Sequence, residues 1–479
     1  MKQLRNYIGG KFSNSENYDW IKSYNPANGL EICEIERSNS KDVDNAIRAA
    51  KEALPEWSSK TFKERSNWLI KIANGLESRI EEIANLESMD TGKPITIAKE
   101  VDAKRSVLNF KFFAGIISEI ENQVFEMEDA TNIVVRKPVG VGALITPWNL
   151  PLYLLSWKVA PAIGMGNTVV CKPSELTPLT ADLLMRVIDD INLPPGVVNL
   201  IHGDGEIAGS SLVSHDSTDL VSFTGGTLTG EKVANSSSKS FKKISLELGG
   251  KNSSIVFSDC DLESTLDVVV RAGFLNQGQI CLCGSRILIE DSIYENFRNR
   301  LIEKVEGLVI GDPSDKNTEI GALISKEHKA KVLSYVDLAV EEGGNILTGL
   351  KDETPIGFEG GNWMKPTIIE GLSVNSRCST EEIFGPIVTI HPFSSEEEVI
   401  SIANNTDYGL AGSIWSADIE KAKRVAKSID SGMMWINTWL HRDLRVPFGG
   451  VKKSGVGREG GRWSLDFFSE PMNICIKHN

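Results

Sequence analysis

An α/β protein is predicted, with open, doubly wound parallel sheets in at least two domains. Two observations predict it. From about residue 141 short apolar runs alternate with helical stretches, and the alternation starts afresh after residue 281. A chain of 479 residues is also too long for one hydrophobic core.

The first part of the chain is mostly helical. Residues 42–51 and 62–89 carry apolar positions at helical spacing, and a third helix is expected over 97–120. Runs 132–136 and 142–145 read as strands. Next come 168–171 with a helix over 179–190, 197–201 with a helix near 206–214, and 220–223 followed by 225–234. Strands spaced by helices of that length imply parallel βαβ units. Beyond Cys281, a strand at 285–289 leads into helices over 292–308 and 326–342, so a second α/β domain is expected at about 248–450.

Composition narrows the class. Hydrophobic residues make up 41% and charged residues 24%, ordinary values for a soluble globular protein. With 51 basic against 65 acidic residues the net charge is −14, and no basic stripe is present, which argues against a nucleic-acid partner. The Lys242-Lys243 and Lys452-Lys453 pairs read as solvated surface. Seven scattered cysteines without a CxxC argue for a reducing cytoplasm. The start of the chain has no apolar core of a secretory signal. Residues 138–157 are uncharged, but Pro147 and Pro151 break them as a membrane span.

Chemistry is concentrated around Cys281. It ends the run Phe-Leu-Asn-Gln-Gly-Gln-Ile-Cys, and Glu247 lies 34 residues upstream in Leu-Glu-Leu-Gly-Gly-Lys. A thiol adds readily to carbonyl carbon, and a carboxylate in a pocket that raises its pKa can activate the thiol or a water molecule. Asn149, in Thr-Pro-Trp-Asn-Leu-Pro, reads either as a turn former or as an amide donor to an oxyanion beside the Cys281 N–H. The Cys281-Leu-Cys283 pattern has no histidine cluster to make a metal site, and none is expected. The other five cysteines (33, 171, 260, 378 and 475) read as small core hydrophobes.

Two glycine-rich turns compete for a dinucleotide. The run 203–208 fits GxGxxA but comes late in the alternation. In Phe-Thr-Gly225-Gly226-Thr-Leu-Thr-Gly230, paired glycines precede a helix whose free amides suit a pyrophosphate. Lys172-Pro-Ser-Glu175 adds a cation and a carboxylate. Either they form a surface ion pair, or Glu175 meets a ribose diol and repels a 2′-phosphate, which favours NAD over NADP.

These stretches, with Tyr7-Ile-Gly-Gly-Lys11, Glu381-Glu-Ile-Phe-Gly-Pro386 and Pro447-Phe-Gly-Gly450, cover nearly the whole chain in order. Together they resemble the NAD(P)-dependent aldehyde dehydrogenase superfamily. That resemblance implies an aldehyde dehydrogenase-like fold: a Rossmann-type NAD-binding domain (1–117 and 139–247), an α/β catalytic domain (248–450) and a small β-ribbon oligomerisation element (118–138 and 463–479). It implies a homodimer or homotetramer and a small-molecule aldehyde as the other partner. Cys281 would be the nucleophile, Glu247 the base and Asn149 the oxyanion donor. Cofactor contacts would come from Ile145, Thr146, Trp148, Lys172, Glu175, Gly225, Gly226, Gly230, Leu248, Glu382 and Phe384, with Trp148 along the pyrophosphate. The family usually has serine where this chain has Gly226, so a hydroxyl contact is lost.

The aldehyde is hinted at by Trp439-Leu-His-Arg442-Asp-Leu-Arg445, a segment that resembles the 2-aminomuconate 6-semialdehyde and 2-hydroxymuconic semialdehyde dehydrogenase branch. An arginine in the substrate tunnel needs an anionic partner, either a substrate carboxylate or a nearby acid such as Asp443. In that branch a second arginine is expected on the helix before the ribbon. Here its place is assigned to Lys111, which lacks the planar fork. Trp157 is expected as an aromatic wall. A neutral or cationic aldehyde of the betaine aldehyde kind, or a silent NAD-binding protein, would be the alternative.

Overall fold

The computed structural model describes residues 2–15, 19–349 and 354–478. Its first sheet has five parallel strands in the spatial order Lys243–Glu247, Leu220–Thr224, Val141–Ile145, Thr168–Lys172 and Val198–Leu200. Antiparallel strands flank them, Asn6–Ile8 and Lys11–Ser13 on one side and Gly455–Val456 on the other. Alternate residues of each strand enter two cores. Leu144 and Val169 face the helices Phe62–Glu77, Lys104–Ser118 and Pro151–Gly164, whereas Ala143 and Val170 face Ser40–Ser59 and Ser210–Ser214. Strand order reverses between Val141–Ile145 and Leu220–Thr224, and in doubly wound sheets the ligand crevice opens at that point.

A second sheet of seven strands runs Asn345–Ile346, Thr367–Glu370, Ile387–Phe393, Arg286–Glu290, Ser253–Val256, Ala411–Trp415 and Met433–Ile436. All its pairings except the first are parallel. A third, antiparallel sheet joins Gln123–Glu126, Ala130–Pro138 and Ser469–Lys477. It leaves Val124, Phe125, Ile474 and Ile476 exposed.

Several expectations change in detail. The 62–89 helix is two, Phe62–Glu77 and Ile80–Thr91, the first capped by Thr61 and the second closed by Gly92 in the left-handed region. The 97–120 helix begins with a π-helical stretch, Ala98–Ala103, before Lys104–Ser118. Within 463–479, only Ser469–Lys477 joins the ribbon, because Leu465 and Phe468 pack into the first core. Lys242 is buried, with its Nζ donating to the carbonyls of Val213 and His215. Cys260 is half-buried and Cys475 exposed, so neither is core. Among the described residues no helix is long and apolar enough to cross a membrane.

A buried ionic cluster sets the turn that precedes the helix Pro151–Gly164. Lys93 Nζ donates to Asp102 Oδ2 and to the Asn149 carbonyl, both at 2.8 Å, and lies 4.0 Å from Glu87 Oε2. Glu87 Oε1 accepts the Leu152 N–H at 2.9 Å and the Thr180 hydroxyl at 2.9 Å. The turn is thereby held at both ends. Burial pushes both carboxyls upward, so their charge relies on the lysine. Lys93→Met leaves that charge unpaired in the core. It is expected to cost about 3–5 kcal/mol, read as a lower urea midpoint at unchanged slope.

Candidate active site

The helix Leu262–Phe274 ends one short turn before Cys281. Asn276, Gln277 and Gly278 follow with φ of 54°, 58° and 69°, all in the left-handed region. Such residues cost about 1–3 kcal/mol each unless neighbours over-determine them. Here Gln277 Nε2 donates to the Ala322 carbonyl at 2.9 Å, and Gln279 Oε1 accepts the Ile324 N–H at 3.1 Å. The backbone beyond is clamped from three directions. Asn149 Nδ2 donates to Gln279 O at 2.9 Å, Asn252 Nδ2 to Cys281 O at 2.7 Å, and Trp439 Nε1 to Leu282 O at 2.9 Å.

Cys281, Glu247 and Asn149 line one cavity of about 270 Å³, together with Trp148, Tyr153, Glu382, Phe384 and Arg442. Glu247 ends the strand Lys243–Glu247 and is buried, and neither carboxylate oxygen has a protein partner. Burial, and after it the Glu459 charge, hold its carboxyl well above the usual range, against Lys158, Arg458 and Arg442. Glu459 itself accepts from Lys158 Nζ at 2.8 Å, and that lysine also donates to Ser222 Oγ at 2.8 Å. Burial pushes the Cys281 thiol up, helped by Glu382 and Glu247 and opposed by Arg442. Asn149 has two N–H groups. One is spent on Gln279, which leaves the other to donate.

The residues expected around a dinucleotide gather at the switch point. Ile145 ends its strand, and the Thr146 N–H donates to Lys172 O at 3.3 Å. Thr146 Oγ1 is buried without a partner. The Gly225 N–H donates to Glu247 O at 3.1 Å, and Gly230 packs on Leu248, where a Cβ would lie 2.5 Å from Leu248 Cδ2. Gly226 starts the helix Thr227–Ser238 with no side-chain cap, and nothing lies within 4 Å of a Cβ placed on it. Lys172 Nζ pairs with Glu175 Oε2 at 3.0 Å, the ion-pair geometry, with Glu175 still part-exposed. Glu382 is fixed by the Gly250 N–H at 2.8 Å. Phe384 stands at φ 62°, its carbonyl 2.7 Å from His328 Nε2. Trp148 meets both of those rings edge-on, with centroids 5.2 Å from His328 and 5.3 Å from Phe384. The 203–208 run does not line the cavity. Open glycine backbone, a free helix start and an orphaned buried hydroxyl suit a dinucleotide at this crevice.

At the substrate end, Arg442 Nη1 donates to the Tyr153 hydroxyl at 2.7 Å, and its guanidinium lies 4.0 Å over the Phe448 ring. Asp443 is paired with Arg445, so it does not neutralise Arg442. Trp157 stands one layer back, 5.5 Å beneath Arg442, rather than in the lining. Lys111 is a correction. It faces solvent and grips both Glu77 oxygens at 2.7 Å, away from the cavity. The cation of that stretch that faces Tyr153 is Arg105, six residues earlier. Six residues turn a helix by roughly 240°, which separates the two faces. Arg105 lies 5.4 Å over the Tyr153 ring, burial pulls its guanidinium pKa down, and its Nε and Nη2 have no partner. Sequence reasoning also missed Tyr153, Lys158, Glu459 and His328. Arg105 had one available signal: it shares the i, i+4 stripe with Asn109, which is fully buried.

The model of the aldehyde dehydrogenase family matches residues 12–474. The chain is 47% identical over 480 residues to the 2-aminomuconic semialdehyde dehydrogenase of Danio rerio, covering 99% of this chain and 98% of that one. To the 2-hydroxymuconic semialdehyde dehydrogenase of Pseudomonas sp. (strain CF600) it is 44% identical over 485 residues, covering all of both. Among solved structures, betaine aldehyde dehydrogenase from Staphylococcus aureus in complex with NAD+ superposes with a TM-score of 0.97 at 37% identity, covering 99% of this chain and 95% of that one. The chain belongs to the aldehyde dehydrogenase family.

Gly278 tests how tightly the thiol segment is held. A Cβ there would lie 2.1 Å from the Gly385 carbonyl, at a φ that L-residues avoid. Gly278→Ala is expected to cost about 2 kcal/mol or more in chemical unfolding and to slow alkylation or turnover at Cys281.

Proposed function

We propose that the protein oxidises a carboxylate-bearing semialdehyde of the muconic type to the dicarboxylic acid, with NAD as cofactor. The observation that carries it is the pair of guanidiniums, Arg442 and Arg105, that converge on Tyr153 with no ion pair to a carboxylate for either among the described residues, the nearby Asp443 being paired with Arg445. A substrate carboxylate supplies the missing charge, and each charge-assisted bond to it is worth about 1.5–3 kcal/mol. The relatives named for muconic semialdehydes favour the same reading. A cation such as betaine aldehyde would meet two positive charges.

In this reading the first sheet carries NAD, the second sheet carries the nucleophile, and the exposed apolar ribbon joins subunits into a dimer or tetramer. The residues at the switch point hold the dinucleotide, with Glu175 at the adenosine ribose and Glu382 at the nicotinamide ribose. When bound, NAD supplies the hydride acceptor. Glu247, or a water it polarises, takes the Cys281 proton that burial has made hard to remove. The thiolate adds to the aldehyde carbon, and the free N–H of Asn149 with the Cys281 N–H receives the oxygen. Once the carbon has been oxidised, a thioester links it to Cys281. Having released the thiol's proton to solvent, Glu247 draws a proton from water, and the hydroxide attacks the thioester carbon. The C–S bond breaks, and the sulfur takes that proton from Glu247 as the acid leaves.

Two outcomes test this. With 2-hydroxymuconic semialdehyde, Arg442→Ala and Arg105→Ala are each expected to lower kcat/KM about 10- to 100-fold. Hexanal should lose less, since only the Arg442 charge acting on Glu247 and Cys281 is removed there, and an equal loss on both substrates overturns the carboxylate reading. The pH profile tests Glu247. Its raised pKa means the carboxyl stays protonated, and cannot act as a base, until pH climbs above the ordinary carboxylate range. Single-turnover thioester hydrolysis should therefore rise with pH through that raised value, and Glu247→Gln should flatten the rise.

A further inference from the structure

Tyr153 is a fixed point between the two cations. It is the third residue of the helix Pro151–Gly164, whose preceding turn carries Asn149. Its carbonyl accepts from Asn109 Nδ2 at 3.2 Å and Ser156 Oγ at 2.8 Å, so its backbone is anchored. Its ring receives the Arg105 guanidinium at 5.4 Å from the centroid, and its oxygen accepts Arg442 Nη1 at 2.7 Å. A phenol oxygen has one proton to give besides its acceptor capacity. No protein group among the described residues accepts that proton, although the side chain lines the cavity shared with Cys281. Donation from a cation polarises the O–H and makes it a better donor.

We propose that Tyr153 is a specificity-determining residue: its hydroxyl donates to the substrate carboxylate while its oxygen and ring hold Arg442 and Arg105 in place around that carboxylate. The proposal rests on the carboxylate-bearing substrate argued above. Two guanidiniums repel each other, and the Arg442 charge already opposes protonation of Arg105. A neutral residue that binds Arg442 through its oxygen and Arg105 through its π-face lets both cations gather at one end of the cavity, Arg442 in the lining and Arg105 behind Tyr153, with Asp443 held by Arg445. Asn149, in the turn ahead of this helix, lines the same cavity, so the two polar ends of a short semialdehyde are each met by a donor.

The test compares Tyr153→Phe, Tyr153→Leu and Arg442→Ala on 2-hydroxymuconic semialdehyde and on hexanal. Tyr153→Phe keeps the ring and is expected to raise KM for the semialdehyde about tenfold, with kcat within about twofold. Tyr153→Leu also removes the ring and is expected to lose about 100-fold in kcat/KM. Both are expected to lose less on hexanal than on the semialdehyde, and the readout is the ratio of the two kcat/KM values in each variant. Tyr153→His keeps a donor and should recover part of the semialdehyde activity, and it carries the comparison if the phenylalanine variant does not fold. Tyr153→Phe without a selective effect, while Arg442→Ala remains selective, overturns the role of Tyr153 and leaves the carboxylate reading standing. Arg442→Ala losing equally on both substrates overturns that reading, and this proposal with it. Equal losses on both substrates in the Tyr153 variants mean a structural role only, and overturn the proposal.

Discussion

Three backbone carbonyls within four residues around the thiol each accept a side-chain N–H, and each donor comes from a different part of the fold. Asn149 reaches Gln279 from the first sheet's side, Asn252 reaches Cys281 from the start of a second-sheet strand, and Trp439 reaches Leu282 from the loop after the last strand. The left-handed conformations of Asn276 and Gln277 persist because these bonds, with Gln277 to Ala322, leave the segment no cheaper arrangement. The thiol therefore sits at the seam between two sheets as a consequence of backbone satisfaction, with a turn at Asn149 that is itself secured by Lys93.

The cavity at that seam is electrostatically ordered. Carboxyls lie around its sulfur end, Glu247 and Glu382 both pushed up by burial, whereas guanidiniums lie at its Tyr153 end. Low dielectric makes each of these groups expensive to ionise and strong once ionised. Positive charge thus stands at one end of the cavity and the thiol with its carboxyls at the other. The aromatic faces of Phe448, Trp157 and Tyr153 take the charge of the arginines without neutralising it.

Much of this is legible in one dimension because glycine, proline and short polar motifs act locally. The strand–helix alternation gave the α/β class, and the helix Leu179–Asp190 stands where its periodicity placed it. Cys281, Glu247, Asn149 and Gly225, spread over more than a hundred residues, meet in one cavity. Boundaries were less legible. The split of 62–89 falls at Ser78 and Arg79, where no glycine or proline marks it. Lys242, read as solvated, caps two carbonyls at the end of the helix Ser210–Ser214, contacts across 29 and 27 residues that local sequence does not reveal.

By itself the sequence determined which chemical groups the protein owns and the local turns that present them, since those depend on neighbours a few residues away. Only the tertiary structure decided which of two cations on one helix packs against Tyr153. Each residue advances a helix by about 100°. The π-helical stretch Ala98–Ala103 lies just ahead of Lys104–Ser118, and such a stretch shifts that phase. Facing Tyr153 instead of Glu77 is thus a matter of rotation, settled by how the helix packs against Pro151–Gly164, and Arg105 rather than Lys111 is the residue it turns inward.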